Sequence, residues 1–379
     1  MPVSTLDHPD GSLALSRPGK AAALRAWDAA DELLLAEAHA RFTPAEKPRM
    51  LVVDDQFGAL TLGLAAFKPD LVADSATVPG ALVDNARLNP ALAAPARVHS
   101  WLNPPEGRYD IVVLRIPRHS DYLAWLLRWL NGVLADDGLI LAGGMIKHLP
   151  DRGVDVFAQA VHTEQVCPAR KKARVIVCRP GAAQLGEWAG TWKGYTLENQ
   201  ALKVQALPAV FARDKLDIGT RLFLPHVRKA VSDVPSAERV LDLACGNGVV
   251  GLAILDERPD LAVTFSDVSS QAVASARHNV QAALAAASVQ FEHADGVPRE
   301  AGKFERIFLN PPFHEGGVVG DHIALRLFAH AKQHLAPTGR LLMVGNRHLG
   351  YHRSLRSYFP LVRQLDANPK FVVLEAAFR

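Results

Sequence analysis

The chain reads as two tandem α/β domains, each a doubly wound sheet with helices on both faces, the first a degenerate copy of the second. Three observations carry this. At 379 residues the chain exceeds one typical core. Strand-like and helix-like segments alternate through the C-terminal half, the pattern of a mostly parallel sheet. The same order recurs in the N-terminal half, as an internal duplication would leave it.

In the C-terminal half, residues 239–243 form a buried strand, Gly246 and Gly248 mark a turn, and a helix opens at Val249. Residues 261–266 form a second strand ending at Asp267, followed by an alanine-rich helix over 269–287. Residues 289–292 and 304–309 are the third and fourth strands, the third ending near Asp295. A helix over 322–335 is closed by Pro337-Thr338-Gly339; strands follow at 340–344 and 371–376. The N-terminal half repeats the plan. Met50-Leu51-Val52-Val53 matches the first strand, Gln56-Phe57-Gly58 the turn, and Leu71-Val72-Ala73-Asp74 the second strand with its terminal acid. Asn85 to Asn89 echoes Ala276 to Asn279, residues 109–114 match the fourth strand, and Asp137 to Ala142 echoes Thr338 to Met343. Arg115-Ile116-Pro117 stands where the second copy has Asn310-Pro311-Pro312, and one glycine remains in the first turn. The first copy is therefore expected to keep the fold and lose the chemistry. The expected division is a degenerate domain over 1–183, a linker over 184–205 that packs on one domain or forms a hairpin, and a catalytic domain over 206–379.

Composition bounds the class. Charged residues make up 21% and apolar ones 49%, ordinary for a globular protein. A formal charge of +3 is compatible with RNA without being diagnostic. Cys167, Cys178 and Cys245 lack metal-ligand spacing and, being odd in number, form no disulfide framework, which fits a reducing cytoplasm. No apolar run is long enough to span a bilayer. The expectations are a cytosolic monomer with no metal and no membrane.

Two motifs carry chemistry. Asp242-Leu243-Ala244-Cys245-Gly246-Asn247-Gly248 is a strand-to-helix turn in which glycine permits positive φ and close approach of a nucleotide-like ligand. Ala244 stands where the usual first glycine would be. Asp267 suits the two ribose hydroxyls, or caps the next helix. Asp295 suits an adenine amine, or a plain turn. Val268 beside the first acid, Gly219 in the lead-in Phe211 to Thr220, and Asn310 complete the candidate cofactor contacts. The second motif is Asn310-Pro311-Pro312-Phe313, the candidate catalytic set. The Asn310 carbonyl and the Pro311 carbonyl can accept both hydrogens of a planar amine, with the prolines holding the backbone. Phe313 offers a face for a base. His314 and Glu315 are candidates for substrate contact or for taking up a proton, or are solvated loop residues.

In this order the motifs resemble a class I (Rossmann-like) methyltransferase that uses S-adenosyl-L-methionine (SAM) on an exocyclic amine. Over nearly the whole chain the residues resemble the ribosomal RNA guanine-N2 methyltransferases grouped as RsmC/RlmG. The lead-in from Val210 to Gly219, the turn, Asn310 to His314 and the degenerate first copy carry that likeness. Ala26 to Glu32, Phe57 to Leu60, Asn346 to Leu349 and Lys370 to Leu374 resemble its large-subunit branch. The resemblance implies SAM as donor, one guanine N2 of 23S rRNA as acceptor, and an N-terminal domain that helps to bind RNA. Three alternatives stay open: a 16S rRNA guanine-N2 methyltransferase, a protein glutamine N5-methyltransferase, and a non-catalytic RNA-binding assembly factor. Two basic stretches are candidate RNA contacts: Arg170 to Arg174, and Asn346 through Tyr351, His352 and Arg353 to Arg356, the second with aromatics among its charges.

Overall fold

The computed structural model describes residues 3–17, 24–92, 97–150, 152–197, 202–285, 287–312, 314–315, 318–319 and 322–379. The chain divides into two compact units, Met1–Thr191 and Trp192–Arg379.

The first unit runs β1 (Val3–His8), β2 (Gly11–Ser16), α1 (Ala29–Arg41), β3 (Met50–Val53), α2 (Ala59–Gly63), β4 (Asp70–Val72), α3 (Val78–Arg87), β5 (Val98–His99), β6 (Tyr109–Arg115), α4 (Ser120–Val133), β7 (Leu134–Met145), α5 (Gly153–Ala160), β8 (His162–Val166) and β9 (Ala173–Arg179). The second runs β10 (Lys193–Thr196), β11 (Lys203–Ala206), α6 (Ile218–Val231), β12 (Arg239–Leu243), α7 (Val249–Glu257), β13 (Ala262–Asp267), α8 (Ser270–Ala283), β14 (Val289–His293), β15 (Phe304–Leu309), β16 (His314–Glu315), β17 (Val318–Val319), α9 (His322–His334), β18 (Leu335–Asn346), α10 (Tyr351–Leu355), β19 (Leu361–Ala367) and β20 (Phe371–Ala377).

Among the described residues each unit holds a seven-stranded sheet of the same order, β5-β4-β3-β6-β7-β9-β8 and β14-β13-β12-β15-β18-β20-β19. The first five strands in each are parallel; the last two pair antiparallel. The central strands are buried on both faces, which is why β3 and β12 read as apolar runs rather than alternating ones. The strand order reverses between β12 and β15, and ligands bind outside the carboxyl ends of strands at such a point. The glycine turn and the Asn310 tip flank it.

The duplication extends to single hydrogen bonds. In α8, Asn279 accepts from Gln205 N at 2.9 Å and donates to Gln205 O at 2.7 Å and Asn247 O at 2.9 Å. In α3, Asn85 accepts from Ser16 N at 2.8 Å and donates to Ser16 O at 3.0 Å and Phe57 O at 2.7 Å. One buried asparagine thus ties a preceding hairpin strand and the turn to the same helix in both units. It is Asn85, not Asn89, that corresponds to Asn279. The hairpin β10–β11 lies partly within 184–205, the segment expected to link the halves or form a hairpin. The α8 helix ends at Ala283 instead of 287, because the chain must turn to enter β14.

Candidate active site

The turn after β12 is built on three left-handed residues: Ala244 at φ 59°, Gly246 at 55° and Gly248 at 80°. An alanine there costs roughly 1–2 kcal/mol relative to a right-handed position. At Gly248 a Cβ would stand 2.8 Å from the Ala276 Cβ, so glycine lets α7 lie close against α8. At Gly246 a Cβ would meet nothing within 4 Å; this is the open face of the turn. Asp242 points inward. Its carboxylate accepts from Gly251 N at 2.9 Å and pins α7 to β12. Burial, with a contribution from the Asp267 charge, pushes its pKa up to about 8. Asn247 is also buried, donating to the Tyr195 hydroxyl at 3.3 Å.

Asp267 closes the turn from the next strand. One carboxylate oxygen accepts from Gly246 N at 2.8 Å and the other from Ser269 N at 2.9 Å. Helix capping itself falls to Ser269, whose hydroxyl accepts from Ala272 N at 3.1 Å. Ala244, Asp267, Val268, Asp295 and Pro312 line one cavity, together with Ser266 and Arg326. Asp295 is ion-paired to Arg326 at 2.9 Å. Val268 O accepts from His293 Nε2 at 3.1 Å. Asp242, Gly246, Asn247, Gly248, Gly219, Asn310 and Pro311 do not line that cavity. Gly219 lies in the first turn of α6, where a Cβ would stand 3.0 Å from the Phe371 ring.

Asn310 follows β15 and is fixed by a bond the sequence does not announce: its Nδ2 donates to Thr220 Oγ1 at 3.0 Å. Pro311 is buried and Pro312 exposed. Phe313 lies outside the described residues. His314 and Glu315 form β16, paired with β17. An open glycine face, a carboxylate held by two backbone amides and a second acid on the same cavity supply acceptors of the kind a nucleoside's hydroxyls and amine need.

Residues 201–375 match the model described as "Methyltransferase small domain", and residues 3–182 the "RLMG N-terminal domain". The chain is 39% identical over 357 residues to Ribosomal RNA large subunit methyltransferase G of Ectopseudomonas mendocina (strain ymp), covering 93% of this chain and 94% of that one. It is 38% identical to the protein of the same name from Stutzerimonas stutzeri (strain A1501), covering 99% of both. The chain belongs to the ribosomal RNA large subunit methyltransferase G family. The fold also matches the solved T. thermophilus 16S rRNA N2 G1207 methyltransferase (RsmC) in complex with AdoMet and guanosine, with a TM-score of 0.76 over 100% of this chain and 98% of that one. At 21% identity that likeness concerns the fold alone.

In this chain the first unit keeps the backbone of the site and replaces its contents. Asp54 and Gly58, at φ 58° and 88°, stand four residues apart like Ala244 and Gly248. By strand register Ala73, not Asp74, is level with Asp267. Trp101 Nε1 donates to the Tyr122 hydroxyl at 2.8 Å, and that hydroxyl donates to Asp54. Burial and the neighbouring Asp74 charge push Asp54 up to about 7. Arg115 occupies the register of Asn310 and is bound to Asp28 at 3.0 and 3.1 Å and to Asp31 at 3.4 Å.

Of the basic stretches, Lys171 and Lys172 are left-handed residues at the β8–β9 turn, and Lys171 pairs with Glu32. Arg347, His348, His352, Arg353 and Arg356 are exposed beyond the carboxyl end of β18. Tyr351, expected among them on an RNA face, is instead core: it is 1% exposed and packs edge-on against Phe328. Among the described residues no helix is long and apolar enough to cross a membrane, and no His, Cys, Asp or Glu cluster could hold a metal.

Proposed function

We propose that this chain transfers a methyl group from SAM to the exocyclic N2 of one guanine in 23S rRNA, working as a cytosolic monomer without a metal. The observation that carries the reading is the cavity that joins Asp267 and Asp295 to Pro312, two positions after an anchored Asn310. SAM supplies an electrophilic methyl group when bound. Gly246 leaves room for its approach, Asp267 accepts from the ribose, and Asp295 faces the base. Asn310 Oδ1 and the Pro311 carbonyl accept the two hydrogens of the guanine amine. That draws its lone pair out of ring conjugation, so catalysis is positioning and electrostatics without a covalent intermediate. Phe313 is assigned to base stacking and the first unit to RNA binding. The full-length likeness to large-subunit enzymes, including the whole degenerate copy, favours this over a glutamine methyltransferase or a passive assembly factor.

Labelled SAM and unmodified 23S and 16S rRNA test the reading, with the product nucleoside identified by chromatography. N2-methylguanosine in 23S rRNA is the expected product; another nucleoside rejects the substrate, and labelling of 16S rRNA alone moves the chain to the small-subunit activity. Calorimetry should give one SAM per chain, because Asp54, Tyr122 and Trp101 fill the corresponding crevice in the first unit. In Asp267→Ala, loss of charge-assisted hydrogen bonds of about 1.5–3 kcal/mol each should weaken SAM binding by tenfold or more. Unchanged affinity would remove Asp267 from the ribose.

A further inference from the structure

Resting on that guanine chemistry, we propose that Thr220, polarised by Asp217, is the positioning residue that decides which end of the Asn310 amide meets the substrate amine. Thr220 is 4% exposed and sits at the third position of α6, with Asp217 as N-cap. The Asp217 carboxylate accepts from Thr220 N at 3.0 Å and from Thr220 Oγ1 at 3.4 Å. A hydroxyl has one proton, and an ionised carboxylate only accepts. The Thr220 proton therefore goes to Asp217, and its oxygen lone pair faces Asn310. The amide must answer with its NH2 group, as the 3.0 Å bond from Nδ2 records. Its carbonyl oxygen is then presented to substrate. Were the hydroxyl turned the other way, the amide would flip and offer N–H groups to an amine that is itself a donor. Polarity thus passes one way, from carboxylate to hydroxyl to amide to base.

The first unit shows the same three stations with different chemistry. Asp28 is the N-cap of α1, Asp31 its third residue, and Arg115 holds the tip register of Asn310. There the link is an ion pair, Arg115 to Asp28 at 3.0 Å and to Asp31 at 3.4 Å. Joining a strand tip to the third residue of the preceding helix is common to both units. Only the hydroxyl and amide of the second produce an oriented acceptor.

The test is steady-state kinetics on the full chain with unmodified 23S rRNA. Thr220→Val keeps the shape and removes the hydroxyl; kcat should fall about tenfold or more, with KM for SAM within about twofold. Thr220→Ser should recover most of kcat. Asp217→Asn still caps α6 but can donate as well as accept, so it should lower kcat in the same pattern. On an Asn310→Ala background, Thr220→Val should have no further effect on kcat, since the amide it orients is gone. Full kcat in Thr220→Val would overturn the proposal. So would an equal loss with and without Asn310, or a rise in KM for SAM that accounts for the whole defect. A wild-type product other than N2-methylguanosine would sink the guanine reading instead, and the Thr220–Asn310 coupling would still report on the network.

Discussion

Asn310→Ala should leave folding and SAM affinity nearly unchanged and lower methyl transfer by about 10²–10³, the effect of losing one oriented polar group in a desolvated site, about 3–4 kcal/mol. Among the described residues its side-chain hydrogen bond is the one to Thr220, so little of the fold's hydrogen bonding is lost. Asn310→Asp should fall between the alanine variant and wild type. A carboxylate still accepts from an amine, but it would have to share with Asp217 the single proton of Thr220. Single-turnover transfer from labelled SAM, beside calorimetry on the same preparation, separates chemistry from binding. Full turnover in Asn310→Ala would reject the mechanism whatever the substrate.

The second large effect is on stability, in the first unit. Arg115→Ala would leave Asp28 and Asp31 facing each other without their counter-charge, with the Asp31 side chain only 8% exposed. Breaking a fully buried pair costs about 3–5 kcal/mol; because the Arg115 and Asp28 side chains are 23% and 38% exposed, about 2–3 kcal/mol is expected. Asp31 already has its pKa raised to about 6, burial outweighing Arg115, so the variant should recover part of the loss when the pH is lowered. Urea unfolding followed by tryptophan fluorescence reads this directly, since Trp27, Trp101, Trp125, Trp129 and Trp188 all lie in the first unit. Unchanged stability across pH would mean the ion pair contributes nothing net.

The parts of the site that lie within a few residues of a strand end were legible in the sequence. The turn from Asp242 to Gly248, Asp267 and the Asn310 tip each follow an apolar run, and a glycine or an acid at that place has few other uses. Family likeness then supplied the substrate class. What the sequence hid is whatever depends on packing. The Thr220–Asn310 bond spans 90 residues. Its local trace, an Asp-x-x-Thr at a helix start, reads as an ordinary cap. Asp242 reads as a cofactor residue from its place on β12; the sequence does not show that its carboxylate also accepts from Gly251 N and pins α7. Tyr351 belongs to a run of charges by sequence and to the core by one turn of helix. The edge strand β19 mixes Arg363, Gln364 and Asp366 with its apolar residues and has no fully buried position, so it leaves no clear apolar pattern. The hairpin β1–β2 does carry a signal, Pro9-Asp10-Gly11 between two strand-length segments, which a search for repeated βα order passes over.

The filled crevice of the first unit bears on whether its lost activity can return. Trp101, Tyr122 and Asp54 form a relay in which each polar hydrogen is spoken for, and Trp101 also packs edge-on against Trp125 and Trp129. Reverting any one of them weakens its neighbour: without Tyr122, a buried carboxylate keeps only the long bond from Asp74 N, and Trp101 loses its acceptor. Arg115 cannot become asparagine again without exposing two carboxylates to each other. Each backward step passes through a less stable protein before any ligand can reward it. On the expectation of one SAM per chain, the duplication behaves as a ratchet: the first unit is free to change how it meets its surroundings, while its own packing opposes a return to competing for the cofactor of the second.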